Sequence, residues 1–161
     1  QGAVVSEDHM NKVLACIELA KEEGGTIIAG GNRVVLEGDL ADGYYIEPTI
    51  IEGLPFDCRT NQEEIFGPVV TIAPFKTENE VLKYANSTTY GLASCIWTEN
   101  LTKAHRLAAS LETGIVWINC WLVRDLRTPF GGVKNSGVGR EGGFEALHFF
   151  TEPQNICVKI Q

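Results

Sequence analysis

The strongest constraint on this chain lies between residues 69 and 119, where short β-prone runs alternate with helical ones. Val69-Val70-Thr71-Ile72-Ala73 is an apolar strand, and Thr77-Glu78-Asn79-Glu80 is a capping box that opens a helix running to Asn86. A second strand covers Leu92 to Thr98. Leu101, Ala104, Ala108 and Leu111 then share one helical face, and the helix stops before Gly114. Ile115-Val116-Trp117-Ile118-Asn119 is a third strand. Strand, helix, strand, helix, strand predicts an α/β fold: a parallel sheet with flanking helices and crossover connections. Ligands in such sheets gather beyond the carboxyl ends of the strands, which directs attention to the segment after Asn119. Residues 120–142 are also the longest irregular stretch, and long loops in a compact domain usually carry function.

The flanks extend this pattern. Ser6 is placed to cap a first helix, with Glu7 and Asp8 at its positive end and Met10, Val13, Leu14, Ile17 and Ala20 along one apolar face. Gly24-Gly25 ends it, and Thr26 to Ala29 reads as a strand. Residues 33–62 are mixed, with strand-like pieces at Val34–Leu36 and Thr49–Ile51. Phe144 to Phe150 forms a short helix. Asn155 to Ile160 is a terminal strand without a sequence neighbour to pair with, so it is expected to pair with another chain.

Residues 129–143 read PFGGVKNSGVGREGG and contain a literal G-x-G-x-x-G from Gly137 to Gly142. A dinucleotide-binding turn would follow a strand and open the helix of a βαβ unit. Here a loop precedes Gly137, and too few residues separate Gly142 from the last strand. The glycines are better explained by a tight loop packed against neighbouring backbone.

Composition narrows the function classes. The net charge of −8 would repel a phosphate backbone, so nucleic acid is not an expected partner. No apolar run has the roughly 20 residues a membrane helix needs. Gln1 to Val5 has neither a basic start nor a long apolar stretch, so no secretion signal is expected. The five cysteines (16, 58, 95, 120 and 157) contain no C-x-x-C, and the histidines (9, 105 and 148) are scattered. That pattern fits buried thiols in a reducing, cytoplasmic setting and argues against a metal site.

Two stretches carry a family resemblance: Glu63-Glu64-Ile65-Phe66-Gly67-Pro68-Val69, and PFGGVKNSGVGRE following a strand that ends in Asn119-Cys120. In this order, with strands and helices between, they resemble the C-terminal part of the NAD(P)-dependent aldehyde dehydrogenases, across essentially the whole chain. Trp117 to Phe130, with an arginine at 124, is similar to the branch acting on 2-amino- or 2-hydroxymuconate 6-semialdehyde. The resemblance implies oxidation of an aldehyde to an acid with NAD as cofactor. It divides the chain into a partial catalytic domain at 1–152 and an oligomerisation strand at 153–161, and it implies a homo-oligomer built through that strand.

By the same resemblance, Glu64 accepts hydrogen bonds from the nicotinamide ribose, as an ionised carboxylate can from two hydroxyls; alternatively it is a plain surface acid. Phe66 packs near the nicotinamide, pointing the same way if the segment is extended, or is a core aromatic. Arg124 anchors a substrate carboxylate through parallel hydrogen bonds, or forms an ion pair with Asp125. Arg127 is the fallback anchor. Trp121 and Phe130 line a substrate tunnel or simply pack in the core. Glu141 supports the general base and a water path, or pairs with Arg140.

The resemblance covers about the final third of such an enzyme. In the family the nucleotide-binding domain, the nucleophilic cysteine and the general base lie upstream, so these 161 residues alone are expected to lack dehydrogenase activity. Cys120 is not expected to be the nucleophile, since no histidine is near in sequence to activate it; a buried, inert thiol is expected. The rival to the enzymatic reading is a non-catalytic interaction module that pairs through its terminal strand.

Overall fold

A computed structural model describes residues 1–160. The chain divides into two compact units, Gln1–Thr88 and a second beginning at Thr89. Each is built around a parallel strand pair, inside the span that the sequence pattern treats as one partial domain.

The first unit opens with α1 (Glu7–Glu22). Ser6 caps it by accepting from the His9 N–H at 3.2 Å, and Glu7 and Asp8 occupy the first turn. The predicted apolar face is the buried one: Met10, Val13, Ile17 and Ala20 are each at most 1% exposed. Strand β1 (Thr26–Ala29) follows, then β2 (Arg33–Val34) and β3 (Tyr45–Ile46), which pair antiparallel, and β4 (Thr49–Glu52). The short helix α2 (Arg59–Gln62), β5 (Val69–Ile72) and α3 (Glu78–Asn86) complete the unit. The sheet order is β1-β4-β5, with β1 antiparallel and β5 parallel to β4.

Met10, Val13, Ile17 and Ile46 form one core cluster, against which Ile27, Ile65 and Val69 pack. Ala20, Ile51 and Leu54 form a second. At α3, Thr77 accepts from the Glu80 N–H at 3.2 Å, as a capping box requires. The return bond differs: Glu80 takes the N–H of Lys76 at 2.7 Å and also accepts from the Tyr84 hydroxyl at 2.8 Å.

The second unit contains β6 (Tyr90–Gly91), β7 (Ala93–Ile96), α4 (Leu101–Ser110), β8 (Ile115–Ile118), β9 (Val133–Lys134) and α5 (Gly143–Phe150). The β7–α4–β8 passage is the expected crossover: β7 and β8 run parallel from Ala93↔Ile115 to Ile96↔Ile118. Strands β6 and β9 pair antiparallel. The two-residue β9 amends the reading that only a loop precedes Gly137. Its antiparallel pairing still does not make the βαβ unit a dinucleotide turn needs. Residues 155–160 have no ladder partner among the described residues, and they are exposed.

The glycine-rich run serves close backbone packing. A Cβ on Gly132 would lie 2.6 Å from Ser136, and one on Gly114 would lie 1.8 Å from the Gly131 carbonyl oxygen. In the first unit, Gly67 meets α1 in the same way: a Cβ there would lie 2.7 and 2.8 Å from the two Val13 methyls. Val13 is fully buried and has no room to yield. Gly67→Ala is therefore expected to destabilise the protein by about 1–3 kcal/mol through overpacking. Urea unfolding of the two proteins, with the slope unchanged and the midpoint lowered, is the check.

Candidate functional site

In the first unit, the segment Glu63–Pro68 is held from both sides. It leaves α2 through Glu63, whose carboxylate pairs with Arg59 at 2.7 and 3.0 Å. The start of α2 has no side-chain cap of its own, because Cys58 sits at the capping position without one. Glu23, just past the end of α1, supplies it: its carboxylate accepts from the N–H groups of Arg59 (2.9 Å) and Thr60 (3.1 Å) and from the Thr60 hydroxyl (2.6 Å). These bonds, the Thr60 hydroxyl foremost, hold the Glu23 carboxyl below its ordinary range. Burial pushes the neighbouring Cys58 thiol up, which keeps it protonated and unreactive.

Helix α1 grips the same segment by its main chain. Lys12 Nζ donates to the Glu64 carbonyl at 3.2 Å, and His9 Nε2 donates to the Phe66 carbonyl at 2.7 Å. The His9 and Phe66 rings also meet edge to face, with centroids 6.1 Å apart. Phe66 has φ = +58°, a left-handed conformation uncommon for a bulky residue. The premise of an extended run from Glu64 to Phe66 therefore fails, and Phe66 is no core aromatic: it is 73% exposed. The Glu64 side chain is exposed, and its carboxylate has no partner among the described residues. A free carboxylate beside an exposed ring, on firmly held backbone, can accept hydroxyl donors while offering an apolar surface. His9 and Lys12 were absent from the sequence-based candidates. They lie one turn apart on α1, bordering the buried face, and only the fold shows what they touch.

In the second unit, the backbone turns sharply after β8. Asn119 has φ = +53° and clamps Thr98, accepting from its N–H and donating to its carbonyl, each at 2.8 Å. Asparagine tolerates that conformation better than most residues, a signal available in the sequence. Trp117 Nε1 donates to the Val123 carbonyl at 2.8 Å, and Trp121 stacks edge-on against Trp117 at 5.0 Å. Trp121 is 60% exposed, so it is not a core residue of this unit. Cys120 is half-buried; the Cys95 thiol donates to its carbonyl at 3.0 Å.

The arginines divide their partners in a way sequence proximity does not indicate. Asp125 belongs to Arg127: it accepts from the Arg127 N–H at 2.9 Å and from the Arg127 side chain at 2.9 and 3.1 Å. Those bonds hold the Asp125 carboxyl below its usual range. Arg124 instead donates from Nη2 to the Glu141 carboxylate and lies 4.0 Å over the Phe130 ring. Glu141 is thus not paired with Arg140, whose guanidinium donates to the carbonyls of Gly132 (2.9 Å) and Gly139 (2.7 Å). The cause is backbone register: Phe130 and Glu141 exchange two N–H···O bonds of 2.8 Å, which brings Glu141 beside the face of Phe130 that Arg124 covers. Beside this group lies a cavity of about 380 Å³, lined by Leu92, Phe130, Gly137, Glu141, Phe149 and Phe150.

Glu64 and Phe66 therefore belong to the first unit and Trp121, Arg124, Phe130 and Glu141 to the second. The structure brings the last three into mutual contact. Among the described residues no group of three His, Cys, Asp or Glu side chains could hold a metal, and no helix is long and apolar enough to cross a membrane.

Residues 1–156 match the family described as the Aldehyde dehydrogenase family. The chain is 49% identical over 159 residues to a 2-aminomuconic 6-semialdehyde dehydrogenase of Pseudomonas sp., covering 99% of this chain and 32% of that protein. It is 50% identical over 159 residues to a 2-hydroxymuconic semialdehyde dehydrogenase of Pseudomonas sp. strain CF600, covering 99% and 33%. Among solved structures it is similar to an NAD+ complex of aldehyde dehydrogenase from Bacillus cereus, with a TM-score of 0.91 and 42% identity over 100% of this chain and 32% of that one. The chain spans about a third of the length of the relatives it matches.

The Glu23 cap carries a pH signature. Its folded pKa lies below the unfolded one, so its stabilisation is complete above the unfolded value and is lost as pH falls through the folded value. Glu23→Ala is expected to cost about 1 kcal/mol at neutral pH, the usual worth of a cap. Glu23→Gln is expected to flatten the acid-side loss of stability; denaturant unfolding from about pH 7 down to about pH 3 measures both effects.

Proposed function

Because the chain belongs to the aldehyde dehydrogenase family, we propose that it contributes the ribose clamp and the substrate-carboxylate anchor to an NAD-dependent enzyme oxidising a muconic-type semialdehyde. The observation that carries this reading is the Arg124 guanidinium carbon lying over the Phe130 ring with only one of its nitrogens engaged by Glu141. Its remaining donors have no partner among the described residues. A guanidinium in that state can take a carboxylate through two parallel bonds. The identity to muconic semialdehyde dehydrogenases adds support.

Glu64 fits the cofactor end, since its exposed, unpartnered carboxylate can accept both ribose hydroxyls. Phe66 would offer its exposed ring to the nicotinamide. NAD, when bound, supplies the hydride acceptor. Arg124 would fix the far end of the substrate, because an aldehyde carbon must sit about 3–3.5 Å from an attacking atom for efficient reaction. Phe130 and Trp121 would provide apolar walls, and Glu141 would support the general base and a path for water. In the chemistry the resemblance implies, a thiolate elsewhere in such an enzyme attacks the aldehyde and water later releases the acid. The 161 residues by themselves would then be inactive, and the enzyme would be a cytoplasmic homo-oligomer.

A second reading, an interaction module, draws on residues 155–160. Ile156, Val158 and Ile160 are 75–90% exposed, alternating along a segment without a ladder partner among the described residues. Such a segment can add a strand to another chain's sheet edge.

Three measurements test these readings. In a full-length enzyme carrying these residues, Arg124→Met is expected to raise KM for a carboxylate-bearing semialdehyde roughly 10- to 100-fold, the worth of charge-assisted hydrogen bonds. KM for an aldehyde without the carboxylate should stay within about 2-fold, since surface changes away from a contact cost under about 0.5 kcal/mol. Glu64→Gln is expected to weaken NAD binding about 10-fold, read by calorimetric titration. NAD-dependent oxidation by the purified 161 residues alone would overturn the reading that they are inactive in isolation.

A further inference from the structure

We infer that Glu141 is a positioning residue for substrate specificity: it holds the Arg124 guanidinium in one orientation against Phe130, ready for the carboxylate of the substrate. This rests on the reading of Arg124 as the carboxylate anchor and goes beyond the support of the general base that the resemblance implies for Glu141.

Three independent contacts form the device. The Phe130–Glu141 backbone pair, with both N–H···O distances at 2.8 Å, places the two residues side by side. Arg124 bridges them, one nitrogen on the Glu141 carboxylate and its guanidinium carbon 4.0 Å from the centre of the Phe130 ring. Asp125, the acid adjacent in sequence, is committed to Arg127 and does not compete. A free arginine side chain has several rotatable bonds to freeze when it binds a ligand; a stacked and paired one has already lost that freedom. The Glu141 contact engages a single Arg124 nitrogen, so donors remain for a second carboxylate. Glu141 therefore acts on the substrate through Arg124, by preorganisation.

The test uses the full-length enzyme and two substrates of similar length, a semialdehyde bearing a remote carboxylate and an aldehyde lacking it. Glu141→Gln is expected to raise the ratio of KM for the carboxylate-bearing substrate to KM for the plain aldehyde about 3- to 10-fold, the worth of one hydrogen bond. A fall in kcat common to both substrates reports the general-base role and does not enter the comparison. Phe130→Leu, which removes the stacking surface, is expected to raise KM more for the carboxylate-bearing substrate than for the plain aldehyde, which loses only an apolar wall contact. In the Arg124→Met background, Glu141→Gln should add nothing further to the discrimination, the mark of coupled residues. Where turnover is too slow to measure, calorimetric binding of a muconate-like dicarboxylate gives the same comparison, and thermal melting confirms that each variant is folded.

If Arg124→Met leaves the discrimination intact, the anchor reading itself fails. If Arg124→Met abolishes it but Glu141→Gln leaves it at the wild-type level, or lowers KM for the carboxylate-bearing substrate, the positioning role is overturned and the anchor stands.

Discussion

Burial of one face of α1 is the constraint on which the first unit depends. Met10, Val13, Ile17 and Ala20 recur at helical spacing, and all four are withdrawn from solvent. With α1 fixed in this way, Val13 leaves room at position 67 for a residue without a side chain only. The neighbouring line of the helix then reaches the segment before β5: Lys12 takes the Glu64 carbonyl and His9 the Phe66 carbonyl. Both bonds go to main chain, so the side chains of Glu64 and Phe66 stay available. Apolar packing thus ends in a displayed carboxylate and an exposed ring, and the left-handed turn at Phe66 is held by hydrogen bonding and ring contact at a residue that resists that conformation.

The second unit reaches a similar end by backbone contact. Side chains are absent at Gly114, Gly131 and Gly132 because other backbone or the Ser136 side chain occupies the space. That closeness folds the run from Phe130 to Glu141 back on itself, so two residues eleven apart become neighbours. Arg124 then finds an aromatic face and a carboxylate side by side. The glycine-rich run shapes this group, and Gly131, Gly132, Gly137 and Gly139 also line the cavity beside it.

Much of this was legible in the residues. The alternation of strands and helices from Val69 to Asn119, the Ser6 and Thr77 caps and the α1 face reflect interactions between residues a few positions apart, and the structure carries each of them. The two family stretches were equally readable, and the match over residues 1–156 confirms the family they indicated. Less legible was anything requiring a partner distant in sequence. Nothing local shows that β5 pairs with β4 rather than with β7, because β-prone composition does not encode a neighbour. The cap that Glu23 provides for α2 joins residues 36 and 37 positions apart.

The ion pairs show the division most clearly. By itself the sequence determined which groups carry charge, which faces are apolar, where helices start and which family the chain belongs to, because these follow from residue type and short-range spacing. Only the tertiary structure decided that Arg124 meets Glu141 while Asp125 turns to Arg127, and that Arg140 is spent on carbonyls. A charge pairs with whatever the fold carries within a few ångströms of it, and that distance is set by backbone register across a loop, which no local pattern of residues records.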